Sequence, residues 1–410
     1  MLALIGNAVV GQSGGPTAAI NATLAGVIRG AIDARDSGVI GTLYGMRNGI
    51  EGFLGERIID LFDAFDTEEK LKLLERTPAA ALGSCRRRLK GHLEDAATYS
   101  KILEILKKYN IRYFFYIGGN DSMDTVLKLS DYAKDNGYEI KVVGVPKTID
   151  NDLPVTDHTP GFGSAAKFIA TTVKEILRDV AVYTIPAVTI VEIMGRDAGW
   201  LTASAALAGQ NDGIGPDLIY LPERAFDVDA FIKDVKDRLS IHPAVLVCAS
   251  EGIRTADGEY LGAKGGTLDA FGHKQLSGAG KVLEGIVKAE IGCKVRSIEL
   301  NLPQRCASHI ASLTDLTESD LVGRGAVAAA LSGKTGVMMT FIREGGEEYS
   351  VSVGSADIGG IANGVKGVPA EYINESGNYV TDDCVEYLRP LIVGEAMPYF
   401  ENGVPKHIIL

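Results

Sequence analysis

The 410 residues are enough for two domains, and the 46% hydrophobic content is ordinary for a protein with a sizeable buried core. The formal net charge of -12 argues against nucleic acid or an anionic membrane surface as the main partner. Five scattered cysteines without a Cys-x-x-Cys pair predict free thiols, and the apolar residues 1–6 lack the basic region of a signal peptide. With no apolar run long enough to span a bilayer, the sequence predicts a cytoplasmic protein.

Short runs rich in β-branched and aromatic residues alternate along the chain with longer helical patterns. Strands are predicted at 3–10, 39–44, 112–117, 141–145, 187–193, 244–249 and 295–301. Helices are predicted at 18–34, 96–109, 123–136, 165–180, 197–209, 228–239 and 279–290. This alternation is typical of βαβ units, so it predicts an α/β protein with parallel sheets covered on both faces. We expect a domain junction near 160–163, and beyond about residue 345 the pattern is too loose to interpret.

The first predicted strand leads into a glycine-rich turn at residues 11–17. Glycines let backbone amides approach an anion closely, and the start of the following helix adds a favourable dipole. The turn lacks the dinucleotide pattern Gly-x-Gly-x-x-Gly. It matches the hydrolase pattern Gly-x-Ser-x-Gly around Ser13, but that elbow takes its oxyanion hole from a loop after an earlier strand. A phosphate cradle and a plain structural turn both remain open here.

A compact basic loop follows, with three adjacent arginines at residues 86–88. We expect one of them to reach a ligand while the others are solvated or paired. A second glycine pair precedes Asn120, Asp121 and Ser122. Asp121 and Ser122 suit the N-terminal cap of a helix beginning at Met123. Asn120 and Asp121 also offer hard oxygen donors suited to Mg²⁺.

A lysine, a hydroxyl and two carboxylates lie close together directly after the strand at 141–145: Lys147, Thr148, Asp150 and Asp152. A carboxylate can take a proton from an attacking alcohol, and a lysine can neutralise charge on a transferred phosphoryl group. Both contributions serve phosphoryl transfer. The same segment is also compatible with a polar turn, because Asp and Asn favour turns.

Three later strand ends carry further polar candidates. Arg196 follows a strand within a Met-Gly-Arg turn, where it suits a phosphate or sugar hydroxyl, or a structural ion pair. Glu251 ends the next strong strand, where a carboxylate can bind a sugar hydroxyl. Arg296 and Arg305 flank a short strand and are additional candidates for phosphate binding.

Taken together, these loops resemble those of the phosphofructokinase family over about residues 3–340, and the order of the motifs makes the match specific. The matching segments follow one another at 13–15, 83–86, 118–121, 148–152, 194–196, 251–252 and Arg305. The resemblance implies two Rossmann-like three-layer lobes with mainly parallel sheets. It assigns residues 1–160 and about 304–365 to a phosphoryl-donor lobe, and 161–303 and about 366–410 to a sugar-phosphate lobe.

Two positions concern the phosphoryl donor. ATP-dependent members of the family have glycine where this chain has Asp121 and Lys147, so the chain looks like the pyrophosphate-dependent branch. A carboxylate at Asp121 would repel the α-phosphate of a nucleotide, and Lys147 supplies positive charge to the small, highly charged pyrophosphate. The resemblance therefore implies reversible, Mg²⁺-dependent transfer from pyrophosphate to fructose 6-phosphate, as in glycolysis.

The resemblance also implies residue roles. Asp150 is the expected base for the 1-hydroxyl of fructose 6-phosphate, and Asp152 is expected to assist it. The residues expected to hold the sugar phosphate are Thr148, Met194, Gly195, Arg196, Glu251 and Arg305. Those expected to frame pyrophosphate are Gly14, Arg86, Asp121, Ser122 and Lys147. Arg296 matches an arginine that reaches the site of a neighbouring subunit, which implies a homodimer or homotetramer.

The sequence departs from the family pattern at three positions. Asn120 replaces the usual metal-binding aspartate, which leaves Asn120, Asp121 or water as the ligands of Mg²⁺. Ala187 replaces a second arginine, and Leu302 replaces a histidine or tyrosine. Asn120 and Ala187 motivate one alternative, a non-catalytic sugar-phosphate-binding regulatory subunit. The nearest alternative is an ATP-dependent enzyme of the same family. The serine-hydrolase hypothesis based on Ser13 is the weakest.

Overall fold

The computed structural model describes residues 3–262, 278–346, 348–361 and 364–410. Its strands are β1 Gly6–Gln12, β2 Ile40–Met46, β3 Ile58–Asp60, β4 Ile111–Gly118, β5 Lys141–Pro146, β6 Ala187–Ile193, β7 Leu218–Tyr220, β8 Ala244–Ser250, β9 Lys294–Glu299, β10 Val337–Arg343, β11 Val351–Asp357, β12 Phe400–Glu401 and β13 Val404–Pro405. Its α-helices are α1 Ile20–Asp36, α2 Gly49–Leu54, α3 Leu61–Ala64, α4 Glu68–Glu75, α5 Ala96–Lys108, α6 Asn120–Asp135, α7 Phe162–Val180, α8 Trp200–Ala203, α9 Val228–Leu239, α10 Ala279–Glu290, α11 Leu313–Leu331 and α12 Asp382–Leu388. Over these ranges, no helix has the length and apolar character needed to cross a membrane.

The larger sheet has seven strands in the order β11-β10-β5-β4-β1-β2-β3. Its central strands are parallel, and only the edge strands β3 and β11 run antiparallel to their neighbours. The chain leaves β1 towards β2 on one side and leaves β4 towards β5 on the other. The carboxyl ends of β1 and β4 therefore form a topological switch point, where open α/β sheets bind ligands.

The smaller sheet has four parallel strands in the order β7-β8-β6-β9. Its strands β6 and β8 are almost wholly buried, because helices cover both faces of a parallel sheet. Because these strands are parallel, the loops after β6, β8 and β9 all begin at the carboxyl-terminal end of the sheet. These loops carry the Met-Gly-Arg turn, Glu251 and Arg305 respectively.

The core of the larger sheet explains why its strands read as continuous apolar runs. In β4, Tyr113, Phe114 and Phe115 are all at most 1% exposed, with alternate side chains packed on opposite faces. Helices α1 and α11 pack closely, and a Cβ on Gly26 would lie 2.1 Å from the carbonyl oxygen of Asp320. Glycine at this crossing therefore permits the close approach of the two helices.

Most predicted elements are confirmed to within a few residues, but two differ and one long helix was not predicted. Helix α6 begins at Asn120 with Gly119 as its N-cap, so Asp121 and Ser122 lie in its first turn and the prediction that they cap it was wrong. The predicted helix at 197–209 is the short α8 followed by a 3₁₀ helix, Ser204–Gly209. Helix α11 was not predicted, because its apolar residues lie on more than one face where it is buried between α1 and the sheet.

The fold has mainly parallel sheets in two α/β units, as the sequence predicted. The larger sheet uses strands from residues 6–146 and 337–357, and the smaller sheet uses strands from 187–299. The assignment of residues 1–160 with 304–365, and of 161–303 with 366–410, to separate lobes stays a prediction.

Candidate active site

A pocket of about 470 Å³ lies at the carboxyl ends of strands from both sheets. It is lined by loops that follow β1, β4, β5, β6 and β8, and by segments near the basic loop and Arg305. The candidate residues that border it are Gly14, Arg86, Asn120, Asp121, Ser122, Lys147, Thr148, Asp150, Asp152, Met194, Arg196, Glu251 and Arg305. The structure thus brings together residues separated by almost 300 positions in the sequence.

The turn after β1 is held by backbone hydrogen bonds from both sides. The amide of Ser13 donates to the carbonyl of Ile117 at 2.9 Å, and the amide of Gly14 donates to the carbonyl of Cys85 at 3.1 Å. Gly14 has φ +77°, a left-handed conformation that favours glycine. The hydroxyl of Ser84 donates to the carbonyl of Gly14 at 2.7 Å. These contacts fix the glycine turn against the basic loop.

Gly118, the last residue of β4, allows the first turn of α6 to lie close to the strand end. A Cβ on Gly118 would lie 1.9 Å from Oγ of Ser122, and the carbonyl of Gly118 accepts a hydrogen bond from the amide of Lys147 at 3.0 Å. Asn120 and Asp121 then open α6, with their side chains at the pocket. The start of α6 therefore presents its positive dipole end to whatever anion the pocket binds.

Lys147 is the central cation of the site. It is only 3% exposed, and its ammonium donates to the carbonyl of Gly15 at 2.5 Å. Burial lowers the pKa of Lys147 to about 8, with further lowering by Arg305 and Arg86, against the opposing effect of Asp150 and Asp152. A bound anion would stabilise its protonated form.

The two carboxylates lie on the loop that follows Lys147. The amide of Asp150 donates to Oγ1 of Thr148 at 3.1 Å, and Asn151 has the left-handed value φ +54°. Burial raises the pKa of Asp150, and the charges of Asp152 and Glu251 raise it further. Burial also raises the pKa of Asp152 above its ordinary value. A carboxylate with a raised pKa is a stronger base, which suits it to accept a proton near neutral pH.

The basic loop places three guanidinium groups at the rim of the pocket. Arg87 donates to Oγ1 of Thr98 at 3.3 Å. Nε of Arg88 lies 4.0 Å from a carboxylate oxygen of Asp121 and 3.8 Å from one of Asp124. All three arginines thus border the pocket, while Arg87 and Arg88 also contact neighbouring helices.

Loops of the smaller sheet close the opposite side of the pocket. The amide of Gly195 donates to the carboxylate of Glu251 at 3.2 Å, and burial raises the pKa of Glu251 to about 7. The amide of Met194 donates to Oε1 of Gln304 at 3.1 Å, which connects this turn to the segment that carries Arg305. The sugar-phosphate candidates therefore form one connected group.

Two arginines supply the positive charge expected on this side. Nε of Arg196 is buried and has no hydrogen-bond partner within the described part of the chain. Nη1 of Arg305 lies 3.4 Å from the position that a Cβ on Gly15 would occupy, so glycine leaves space between this cation and the first turn. Burial and the nearby charge of Arg86 lower the pKa of Arg305. A bound phosphate group would relieve the repulsion between Arg305 and Arg86.

The donors at the start of α6 fit a weakly held Mg²⁺. Oδ1 of Asn120 is buried and lacks a hydrogen-bond partner among the residues described, and Asp121 offers a partly exposed carboxylate beside it. No group of three or more His, Cys, Asp or Glu side chains in the described ranges could hold a metal alone. Mg²⁺ usually binds through one or two protein ligands together with substrate phosphates, and this donor set matches that pattern.

Two predicted residues do not border the pocket. Gly195 is not among the lining residues, although its neighbours Met194 and Arg196 are; it has φ +127° and its amide donates to Glu251. Arg296 is exposed on β9, the edge strand of the smaller sheet, so its own chain does not bring it to the pocket. Conversely, Val365 borders the pocket but was missed, since the loose pattern after residue 345 carries no local signal for it.

The fold and the site define a two-sheet α/β protein with a crevice lined by cations and carboxylates, and comparison with known proteins gives its family. The family model for phosphofructokinase matches residues 7–329. The chain belongs to the phosphofructokinase family, which confirms the predicted family and fold.

Several proteins are similar over nearly their full length. The chain is 42% identical over 402 residues to the pyrophosphate--fructose 6-phosphate 1-phosphotransferase of Halomonas elongata, covering 98% of this chain and 95% of that protein. It is 44% identical over 408 residues to the protein of the same name from Xanthomonas campestris pv. campestris, covering 99% and 96%. A crystal structure of pyrophosphate-dependent phosphofructokinase from Nitrosospira multiformis has a TM-score of 0.89 at 39% identity, covering 98% of this chain and 96% of that one.

Proposed function

We propose that the chain catalyses reversible, Mg²⁺-dependent phosphoryl transfer from pyrophosphate to the 1-hydroxyl of fructose 6-phosphate, a step of glycolysis. The products are fructose 1,6-bisphosphate and phosphate. The observation that carries the proposal is the convergence of Lys147, Asp150 and Asp152 in one pocket with the cations Arg86 and Arg305. The similarity to proteins named for this reaction supports the same choice of substrates.

Asp150 is the proposed base. As the 1-hydroxyl oxygen forms its bond to phosphorus, the hydroxyl proton passes to the Asp150 carboxylate. The bond from that phosphorus to the bridging oxygen of pyrophosphate breaks, and the electron pair leaves with phosphate. Asp152 supports the step by its nearby negative charge, which raises the pKa of Asp150. Thr148 orders the loop by accepting a hydrogen bond from the amide of Asp150.

Positive charge stabilises the transferred group and the leaving phosphate. Lys147 is held against the first glycine turn by its hydrogen bond to Gly15, so it requires little reorganisation during the reaction. Gly14, Arg86 and Ser122 frame the same space and are the proposed remaining contacts of pyrophosphate. When Mg²⁺ is bound, it supplies further charge neutralisation on the phosphate oxygens, held by Asn120 and Asp121.

The sugar phosphate is proposed to bind on the side of the smaller sheet. Arg196 and Arg305 supply cations for its phosphate, and Glu251 accepts hydrogen bonds from its hydroxyls. Met194 and Gly195 shape the turn between them. This arrangement orients the 1-hydroxyl towards Asp150, in position to attack the phosphorus of pyrophosphate.

Pyrophosphate is preferred to ATP on electrostatic grounds. The carboxylate of Asp121 stands where the resemblance places a nucleotide's α-phosphate, and two negative groups at that place repel each other. Lys147 adds a buried cation suited to a small polyanion. The alternatives are an ATP-dependent 6-phosphofructokinase and a non-catalytic sugar-phosphate-binding regulatory subunit.

Further properties follow from the same proposal. The two lobes, 1–160 with 304–365 and 161–303 with 366–410, would bind donor and sugar phosphate respectively. Arg296, exposed on an edge strand, would complete the site of a neighbouring subunit in a homodimer or homotetramer. A glycolytic role of this kind belongs in the cytoplasm.

The donor assay tests this function directly. Initial rates of fructose 1,6-bisphosphate formation are measured with Mg²⁺ and fructose 6-phosphate, using either pyrophosphate or ATP. We expect turnover with pyrophosphate and, at equal concentration, a rate with ATP lower by about 100-fold or more, the order of effect of one misplaced charge in an active site. Turnover with ATP alone would identify the ATP-dependent alternative, and binding of fructose 6-phosphate without turnover would identify the regulatory one.

The pH dependence of pyrophosphate use should reflect the titration of Lys147. Its pKa of about 8 means that it is protonated below this pH and loses its charge above it. We therefore expect kcat/KM for pyrophosphate to fall as the pH rises through that value, because kcat/KM reports ionisations of the free enzyme. In Lys147→Arg the cation stays protonated, and the fall should move to higher pH. A wild-type profile that stays flat from about pH 7 to about pH 9.5 would contradict this assignment.

A further inference from the structure

Lys366 joins two loops of the pocket through its backbone. Its amide donates to the carbonyl of Asp152 at 2.7 Å, and its carbonyl accepts from Nε1 of Trp200 at 2.8 Å. Trp200 opens α8, directly after the turn that carries Arg196. One residue thus contacts both the loop of the proposed base and the helix that follows the turn of the proposed sugar-phosphate site.

The ammonium group of Lys366 holds the same loop at three further points. Nζ donates to the carbonyl of Asp157 at 2.7 Å, to the carbonyl of Thr156 at 3.0 Å and to Oδ1 of Asn151 at 3.3 Å. An ammonium has three donors, so this set uses all of them. Asn151 lies between the two carboxylates of the site in the sequence and has a left-handed backbone conformation. The hydrogen bond from Lys366 therefore holds the loop at the residue between its two carboxylates.

The residues on either side of this lysine extend the connection. The carbonyl of Gly364 accepts from Nδ2 of Asn120 at 3.4 Å. The amide of Val368 donates to Oε1 of Glu223 at 2.8 Å, and the same oxygen accepts from the amide of Gly199 at 2.7 Å. The short segment around Lys366 is therefore bonded to the start of α6 and to the carboxylate loop. Through Trp200 and Glu223 it is also connected to the residues that follow the Met-Gly-Arg turn.

The side chain of Lys366 does not border the pocket, although its neighbour Val365 does. Burial lowers the pKa of Lys366 to about 8, while the charges of Asp157 and Asp152 oppose that shift. Burying an ammonium is costly unless hydrogen bonds and opposite charges compensate for it. Here the hydrogen-bond acceptors all belong to the loop that carries Asp150 and Asp152, and the ring of Trp200 also lies 5.6 Å from the ammonium. The charge therefore stabilises one position of that loop relative to Trp200.

We propose that Lys366 is a positioning residue, which holds the Asp150–Asp152 loop in fixed register with the turn that carries Arg196. The proposal rests on the proposed phosphoryl transfer and adds a residue to it. Lys366 aligns the base with the sugar hydroxyl without touching either substrate. Its loss should therefore lower kcat and leave both KM values nearly unchanged, because the binding groups themselves remain.

Lys366→Met tests the proposal, because methionine keeps much of the apolar stem and removes the charge and its donors. We expect kcat to fall by about 10- to 100-fold, the cost of misplacing a catalytic group by a fraction of an ångström to an ångström. Both KM values should change by less than about threefold. Lys366→Arg retains charge and donors, so it should recover part of the lost kcat.

Lys167→Met is the matched control. Lys167 is also a buried lysine whose ammonium donates to a backbone carbonyl, that of Gly394, at 2.5 Å, but it lies outside the pocket. We expect a lower melting temperature for this variant and an unchanged kcat. Pyrophosphate turnover by the wild type and by Lys167→Met tests the proposed function. The kcat of Lys366→Met relative to the kcat of these two proteins tests the role of Lys366 alone.

A second variant keeps the proposal testable if Lys366→Met does not fold. Trp200→Phe keeps an aromatic ring at the position of the only tryptophan and removes the N–H that bonds Lys366. A phenyl ring also replaces the indole that lies 5.6 Å from the Lys366 ammonium. We expect kcat to fall about fivefold at unchanged KM, in line with the loss of one hydrogen bond. A kcat within twofold of wild type in a folded Lys366→Met, or in Trp200→Phe, would overturn the proposal, as would equal losses in Lys366→Arg and Lys366→Met.

Discussion

Asp150→Asn is expected to lower kcat by about 10²- to 10⁴-fold, the usual contribution of a positioned general base. The amide has nearly the shape of the carboxylate but cannot accept the proton of the 1-hydroxyl. Affinity for fructose 6-phosphate should persist, since its proposed phosphate ligands Arg196 and Arg305 are unaltered. Initial rates give kcat, and titration calorimetry gives the affinity for fructose 6-phosphate.

The control for this substitution is Asp227→Asn. Asp227 caps α9 by accepting from the amide of Ala230 at 2.9 Å, and asparagine is an equally good cap. This variant should retain wild-type rates, which would show that the loss in Asp150→Asn reflects its place in the pocket. An Asp150→Asn enzyme with wild-type kcat would remove Asp150 as the base.

Lys147→Met should lower kcat/KM for pyrophosphate by about 10²- to 10³-fold, as found when one preorganised charge-stabilising donor is removed. Methionine fills much of the same buried space, so the effect reports the ammonium group. The cation is buried and already hydrogen-bonded to Gly15, which makes it rigid before the donor arrives. Rates measured at several pyrophosphate concentrations separate kcat from KM.

Lys167→Met serves again as the control, because it also removes a buried ammonium bonded to a backbone carbonyl. Its kcat/KM for pyrophosphate should match that of the wild type. Retention of more than about a third of wild-type kcat/KM in Lys147→Met would contradict a direct role for Lys147 in donor binding or transfer.

The loops of the site were predictable because each carries a local signal next to a strong strand. The turn at Gly14, the glycine pair at Gly118 and the carboxylates after Lys147 follow β1, β4 and β5, whose apolar runs are easy to recognise. Parallel strands place their carboxyl ends at one edge, so the sequence already implied that these loops meet. The pocket brings them together as expected.

The parts that escaped prediction depend on long-range packing. Helix α11 is buried between α1 and the larger sheet, so it lacks the one-sided apolar pattern of a surface helix. Helix α6 begins at Asn120 with Gly119 as an N-cap that has no side chain to bond the first amides. The usual preference for Asp or Ser at the N-cap had predicted a start at Met123. Lys366 lies more than 200 residues from the loop it holds, in a segment without periodicity. No local pattern reports contacts of that kind.

The reverse reaction tests the central claim most directly. The enzyme is incubated with fructose 1,6-bisphosphate, phosphate and Mg²⁺ without any nucleotide, and ³¹P NMR follows the phosphorus species. We predict that a pyrophosphate signal appears together with fructose 6-phosphate in equal amount, since pyrophosphate and the sugar phosphate ester are of comparable energy. The absence of pyrophosphate, in a preparation that converts ATP and fructose 6-phosphate in the forward direction, would contradict the account.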